Sequence, residues 1–347
     1  MTATDRTGQL PQRVPDPAPA PRLRRGRSGP SPWLAFSLKR LLGLLGTVVV
    51  LVLVTFFMVR LIPGDPAVSV AGPDASLQQI EDVRAQLGLN EALPAQLGHY
   101  VAGLVQGDLG DSFSQSQPVT DLLSARLPYT VGIAVPAMVL VLLVAVPLGM
   151  AVGVLTRGVR HRWLDRVFGF GSGLVSAVPQ YVMATFLVLI FAVTLAVLPP
   201  AYSRTSPAES YVLPILALAV GPICVVARVV RRETGVVLEN DYFRTARGWR
   251  LPGWRLYGRY LLPSLLTSTL TMSGLILTSM LGSAIVVETV FGWPGLGLGI
   301  VQAILTKDYP VIQGIILVLG IVAALITLLV DVVLGLIDPR TLGGRHD

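Results

Sequence analysis

The segment from Arg228 to Pro263 reads Arg-Val-Val-Arg-Arg-Glu-Thr-Gly-Val-Val-Leu-Glu-Asn-Asp-Tyr-Phe-Arg-Thr-Ala-Arg-Gly-Trp-Arg-Leu-Pro-Gly-Trp-Arg-Leu-Tyr-Gly-Arg-Tyr-Leu-Leu-Pro and lies between two long apolar stretches. Its eight arginines (Arg228, Arg231, Arg232, Arg244, Arg247, Arg250, Arg255 and Arg259) predict a loop kept on the cytoplasmic side of a membrane. Local signals divide it into two short helices. Asn240 or Asp241 is placed to cap the first, where a carboxylate also suits the helix dipole. Leu251-Pro252-Gly253 ends it, because proline lacks an amide donor and biases Leu251 away from helical angles. A second helix from Trp254 to Leu262 then leads to Pro263, an acceptable first-turn residue of the next span.

The rest of the composition fits a chain threaded through a bilayer. Of 347 residues 52% are hydrophobic and 14% charged, with mean hydropathy +0.67, whereas a soluble domain carries roughly 25% charged residues. The formal charge of +7 would suit nucleic acid if the arginines formed one recognition face. They sit instead between apolar spans, which is topology. The single cysteine, Cys224, excludes a disulfide framework. The lysines are Lys39 and Lys307, and neither follows a glycine, so the chain has no Gly-x-x-x-x-Gly-Lys-Ser/Thr loop to cradle ATP phosphates.

Taken in order, residues 1–32 form a proline- and arginine-rich tail expected to be disordered in the cytoplasm. A first transmembrane helix is predicted over 33–62, its apolar run bounded by Arg40 and Arg60. An external loop region follows over 63–126, in which Leu97, Tyr100, Val101, Leu104 and Val105 recur at helical spacing. A core over 127–337 then holds helices expected at about 127–156, 167–198, 210–230, 263–287 and 309–336. The arginine-rich loop is assigned to 231–262 and a cytoplasmic C-terminus to 338–347. Thr289 to Thr306 is free of charge, but Gly292, Pro294, Gly295, Gly297 and Gly299 argue against a spanning helix there. Six spans place 22 lysines and arginines inside against five outside, a bias that holds at every loop.

Several motifs bear a family resemblance. Asp-Tyr-Phe-Arg-Thr-Ala-Arg at 241–247, then Leu251 and Leu262-Pro263, resembles the cytoplasmic signature of ATP-binding-cassette importer permeases, most closely the dipeptide and oligopeptide class. Arg60-Leu-Ile-Pro-Gly-Asp-Pro66, Gly107-Asp-Leu-Gly-Asp-Ser-Phe113, Glu288-Thr-Val-Phe-Gly-Trp-Pro-Gly-Leu-Gly at 288–297, Lys307-Asp-Tyr-Pro310 and Asp338-Pro-Arg340 are similar to other stretches of that class. The resemblance implies an all-α, six-helix type I importer permease bundle in the cell membrane with both termini cytoplasmic. It implies a second homologous permease, two cytoplasmic ATPase subunits that bind ATP and Mg, and an extracytoplasmic binding protein. The ATPase-coupling residues it points to are Asp241, Tyr242, Arg244, Thr245, Ala246, Arg247, Arg250, Leu251, Leu262 and Pro263. The family's glycine falls on Arg250, with Gly248 two residues earlier. The expectation is a shifted turn and an arginine protruding where the ATPase approaches. Peptides are the implied cargo, with nickel or metal chelates, glutathione or other small solutes as alternatives.

No catalytic or metal site is legible. His99, His161 and His346 are scattered, and no His/Cys/carboxylate cluster has metal-ligand spacing. A stand-alone ion-driven carrier is the rival reading, but the middle of each span carries no ionisable group. In the fifth span Thr267, Thr271, Gly274, Thr278 and Gly282 form one small, weakly polar helical face, suited to helix packing or to lining a pathway.

Overall fold

The computed structural model describes residues 32–61, 65–72, 75–86, 88–158 and 161–337. The expected tail and C-terminal segment, and the motif at 338–340, lie outside these apart from Pro32. Among the described residues the fold is helical, with one isolated bridge between Asp111 and Pro118. Among the described residues five helical segments are long and apolar enough to cross a membrane: Ser37–Met58, Val119–Leu155, Pro207–Glu239, Thr269–Val290 and Tyr309–Leu336. A sixth exists if the bent pair Arg162–Ala177 and Gln180–Thr194 counts as one span.

The first span lies in α1 (Pro32–Leu61). The external region forms three short helices, α2 (Pro66–Ala71), α3 (Leu77–Gln86) and α4 (Leu93–Gln106). Asp65 caps α2 through the Ala67 amide and pairs with Arg84, whose guanidinium holds the Asp65 carboxyl below its ordinary range. The amphipathic pattern expected over 97–105 falls on α4. Tyr100 packs on Phe56 and hydrogen-bonds Thr55, whereas Val105 is exposed.

α5 (Val119–Leu155) begins eight residues before the expected position, because its first turns are apolar too. Val119 and Leu123 are buried against the C-terminal helices. Its 37 residues extend about 55 Å, well beyond a hydrocarbon core of about 30 Å. The helix expected over 167–198 is broken. α6 (Arg162–Ala177) and α7 (Gln180–Leu187, continuing as a π turn Val188–Thr194) meet at 94°. Pro179 is the cause: it has no amide to donate, and it holds Val178 in extended backbone at φ −68°, ψ 123°.

After a short turn of helix, α8 (Pro207–Ser210), α9 (Val212–Glu239) runs nine residues past its expected end at 230. The loop assigned to 231–262 is therefore helical over its first third, since Val226, Ala227, Val230, Thr234, Val237 and Leu238 bury one continuous face. Next come α10 (Asp241–Gly248), α11 (Gly253–Leu256) with a π turn Tyr257–Leu261, α12 (Leu262–Val290), α13 (Leu296–Thr306) and α14 (Tyr309–Ile337). The second short helix expected up to Leu262 thus merges into α12, and Pro263 sits in the first turn of α12.

The core is centred on the α5–α9 contact. A Cβ on Gly149 would lie 2.6 Å from the Ala227 carbonyl oxygen, and one on Gly153 would lie 2.7 Å from Thr234 Cβ. At the periphery α1 packs on α14 through Arg40–Asp331 at 2.6 Å and through Gln313, which donates to the Thr55 carbonyl.

Gly149→Val is expected to wedge this seam apart at a cost of about 3 kcal/mol or more, because backbone lines the other side. Gly169→Ala has open space around its Cβ and should change stability by no more than about 1 kcal/mol. Thermal unfolding of the detergent-purified protein checks both, and equal tolerance would show that the seam is not limiting.

Candidate functional site

The arginine-rich end of the bundle is built on the extension of α9. Asn240 leaves helical geometry at φ −65°, ψ 145°, and its carbonyl accepts from the amides of Phe243 and Arg244, so α10 starts at once in a new direction. The expected side-chain cap does not form: Asn240 caps through its backbone alone, and Asp241 is fully exposed in the first turn. The sequence folds here because α10 is amphipathic over two turns. Phe243 and Ala246 are 0% and 1% exposed and belong to the main core, with Phe243 stacked on Tyr257 at 6.4 Å.

That burial divides the candidate residues. Asp241, Tyr242, Arg244, Thr245 and Arg247 are exposed, and Arg250 joins them just beyond the helix. Thr245 bonds back to the Asp241 carbonyl, while the Tyr242 and Ser264 hydroxyls, 2.8 Å apart, tie α10 to the start of α12. Ala246 points inward, and Leu251 and Leu262 are half-buried. Pro263 is exposed at the base of α12. Arg157 donates to the Leu238 carbonyl and Arg231 pairs with Asp165, so α6 and the preceding loop brace the same corner.

The turn after α10 is not shifted towards Gly248. Gly248 ends the helix, whereas Arg250 takes the left-handed conformation at φ +52°. An L-residue there costs roughly 1–2 kcal/mol that a glycine would not incur. The arginine therefore occupies the turn a glycine would favour and protrudes from it.

The small face of α12 divides as well. Gly274 packs on Val330 of α14, with its built Cβ 2.9 Å from Val330 Cγ1. Thr278 bonds back to the Gly274 carbonyl, and Thr271 and Gly282 are exposed. The side chain of Thr267 lies outside the described residues. The stripe is thus partly an internal packing seam and partly open surface.

Sequence reasoning missed the structure at the opposite end. Glu288, named in the sequence only as the first residue of the family-like stretch at 288–297, is completely buried. Its carboxylate accepts from Thr130 Oγ1 at 2.6 Å and from the amides of Gly297 at 2.6 Å and Leu298 at 3.2 Å, while Thr130 accepts from the Leu296 amide. This carboxylate caps α13. The glycines of the segment follow from it, because a Cβ on Gly295 would lie 2.4 Å from Glu288 Oε1. Trp293, also buried, donates to the Tyr129 carbonyl and meets the rings of Tyr202 and Tyr211. Nearby, buried Asp308 accepts from the hydroxyl of Ser112 and from the amide and hydroxyl of Ser114, joining the 107–113 motif to that at 307–310. An acid flanked by a glycine-rich run was the available signal for Glu288. An acid one residue before a Tyr-Pro helix start was the signal for Asp308. Among the described residues no group of His, Cys, Asp and Glu could hold a metal ion.

Phe243→Ala should loosen α10 at a cost of about 3–5 kcal/mol, seen as faster hydrogen exchange of the 241–248 amides, whereas Arg244→Ala should leave exchange unchanged. Thr130→Val leaves a buried carboxylate and the Leu296 amide each short of a partner, and the thermal midpoint should fall by the equivalent of about 1–3 kcal/mol.

The comparisons with known proteins agree with this architecture. Residues 145–343 match the family described as binding-protein-dependent transport system inner membrane component, and residues 33–134 match its N-terminal companion. The glutathione transport system permease protein GsiC of Escherichia coli (strain K12) is 38% identical over 306 residues, covering 88% of this chain and 98% of that protein. GsiC of Salmonella choleraesuis is 38% identical over 311 residues, with the same coverage of each chain. The solved structure of the MetNI methionine ABC transporter, in an inward-facing conformation, shares the fold at TM-score 0.52 and 16% identity, covering 62% of this chain and 96% of that one. A buried scaffold that presents one polar helix at the end of a bundle, and matches over nearly the whole chain, identifies this protein as a member of the binding-protein-dependent transport system inner membrane component family, a permease of ABC importers.

Proposed function

We propose that this permease forms one half of the pathway of an importer for small peptides, glutathione among them, and is driven by ATP hydrolysed on partner ATPase subunits. The observation that carries the coupling role is the division of α10: Phe243 and Ala246 anchor it in the core, and Asp241, Tyr242, Arg244, Thr245 and Arg247 remain free to be pressed upon. The relatives' glutathione transport supports the cargo class, and the family supports a second permease, two ATPases that hold ATP and Mg, and an extracytoplasmic binding protein. With α10 on the ATPase side, the arginine-rich end is cytoplasmic, as the charge bias favours.

In this reading the chain performs no covalent step. ATPase closure pushes α10, and the push passes through the Phe243–Tyr257 contact into α9 and α12, biasing the bundle between inward and outward access. Carriers that run on ion gradients place ionisable groups near the membrane midplane. Here Glu288 is engaged in capping α13 and Asp331 pairs with Arg40, and both stand near span ends.

Co-reconstitution with the ATPases and binding protein in proteoliposomes tests the proposal through ATP-dependent uptake of labelled glutathione and of a labelled tripeptide. Thr245→Glu, on the exposed face, should lower coupled uptake about tenfold, equivalent to a loss of about 1.4 kcal/mol of contact, without moving the thermal midpoint. Uptake by this chain without ATPases, driven by a proton or sodium gradient, would overturn it.

A further inference from the structure

At the end of the bundle away from α10, the stretches at 60–66, 107–113 and 307–310 meet around a cavity of about 600 Å³. Asp65, Phe113 and Tyr309 line it from those stretches, and α1, α3 and α4 supply the other walls. Among the described residues none of α5, α9 or α12 lines it, so it lies apart from the α5–α9 core. Its size suits a small ligand, since such sites run from about 300 to 1,000 Å³. Two features of the lining are left over by the fold. Tyr309 is 2% exposed, yet its hydroxyl has no hydrogen-bond partner among the described residues, whereas buried polar atoms are nearly always partnered. Charges of both signs also share this space as two pairs, Asp65 with Arg84 and Glu91 with His99 at 3.1 Å. Glu91 pairs through one carboxylate oxygen, and its other oxygen has no partner among the described residues. The Arg84 guanidinium, which also meets Glu81 at 3.1 Å, still has donors to spare.

We propose that this cavity binds a free zwitterion of the size of a di- or tripeptide, its ammonium held by Glu91, its carboxylate by Arg84 and a peptide carbonyl by the Tyr309 hydroxyl. A ligand of one sign would set its charge beside a like charge of the lining. A ligand charged at both ends meets an opposite charge at each, and Phe56, Leu89 and Phe113 supply apolar surface for what lies between. The demand for both signs rests on the cavity alone, whereas the choice of a peptide among zwitterions rests on the cargo class proposed above. Occupancy would also reach the membrane helices. Beside the cavity Tyr100 of α4 bonds Thr55 of α1, whose carbonyl accepts from Gln313 of α14.

The test titrates trialanine onto the full permease in phosphatidylcholine nanodiscs, with no ATPase or binding protein present. Wild type should bind saturably, and trialanine capped at both ends by acetyl and amide groups should bind about tenfold or more weakly. Glu91→Gln and Arg84→Gln should each weaken trialanine about tenfold. Tyr309→Phe removes only the unpartnered hydroxyl, so it should hold the thermal midpoint while binding about fivefold more weakly. Leu89→Trp, which fills the space and leaves the charges in place, should abolish binding. The proposal is overturned by absence of saturable binding, by equal affinity for the capped peptide, or by wild-type binding in Glu91→Gln, Tyr309→Phe and Leu89→Trp. Should the same variants change only the phosphatidylethanolamine retained on purification, the cavity serves a lipid headgroup and the proposal is wrong. ATP-dependent uptake by the reconstituted transporter is read separately, so failure here leaves the coupling role of α10 standing.

Discussion

Backbone contact between α5 and α9 is the constraint on which the other elements depend. At Gly149 and Gly153 the space for a Cβ is already occupied by the Ala227 carbonyl, Val230 and Thr234. Helices that approach this closely are locked in register, because sliding by even one residue would drive side chains into backbone. The consequence is felt far from the seam. Since α9 is held along Val226, Val230, Thr234 and Val237, it stays helical to Glu239 and acts as a stiff arm. Only at Asn240 does the backbone leave the helix. The position of α10 is thereby fixed by the packing of α9 on α5.

The opposite end is fixed by different chemistry. Glu288 and Asp308 are buried carboxylates, each satisfied by several donors, at sites where chain direction reverses. A carboxylate collects amide and hydroxyl donors from several segments at once, which apolar contacts cannot do with the same directionality. Such networks rigidify when complete and are costly to open. With α13 pinned to α5 and α12, and the 112–114 turn pinned to the head of α14, compliance is left to the elements between. The Pro179 break and the π turns at Val188–Thr194 and Tyr257–Leu261 are irregular stretches of this kind.

The legible parts of the sequence were those governed by one-dimensional rules. Apolar length gave the spans, and Leu251-Pro252-Gly253 gave the break after α10. What could not be read depends on contacts between distant segments. Pro179 was visible, but prolines also lie within α5 at 128, 136 and 147 without ending it, so composition alone could not say which one breaks a helix. The extension of α9 was hidden because Arg231 and Arg232 read as loop, while the buried face of Val230, Thr234 and Val237 continued beneath them. Glu288 was hidden because burial of a charge depends on Thr130, 158 residues away. Ala246 was assigned to the outer contact by resemblance, and its burial is decided by the amphipathic phase of α10.

Burial of Phe243 and Ala246 sets how the proposed push on α10 crosses this corner. A helix that only received a partner on one face and water on the other would yield when pushed. α10 does not face water on its inner side: Phe243 fills a dry site against Tyr257, and Ala246 is small enough to let the backbone lie flush with the core. Dense packing of this kind has low compressibility, so displacement of the exposed face carries the core with it. The outer face needs the opposite properties, being polar enough to stay hydrated when vacant and charged enough to recognise its partner. Exposed Arg244, Thr245 and Arg247 have these properties within the helix, and exposed Arg250 has them beyond it. Under the proposed coupling role, two turns of helix separate recognition from transmission by facing them in opposite directions.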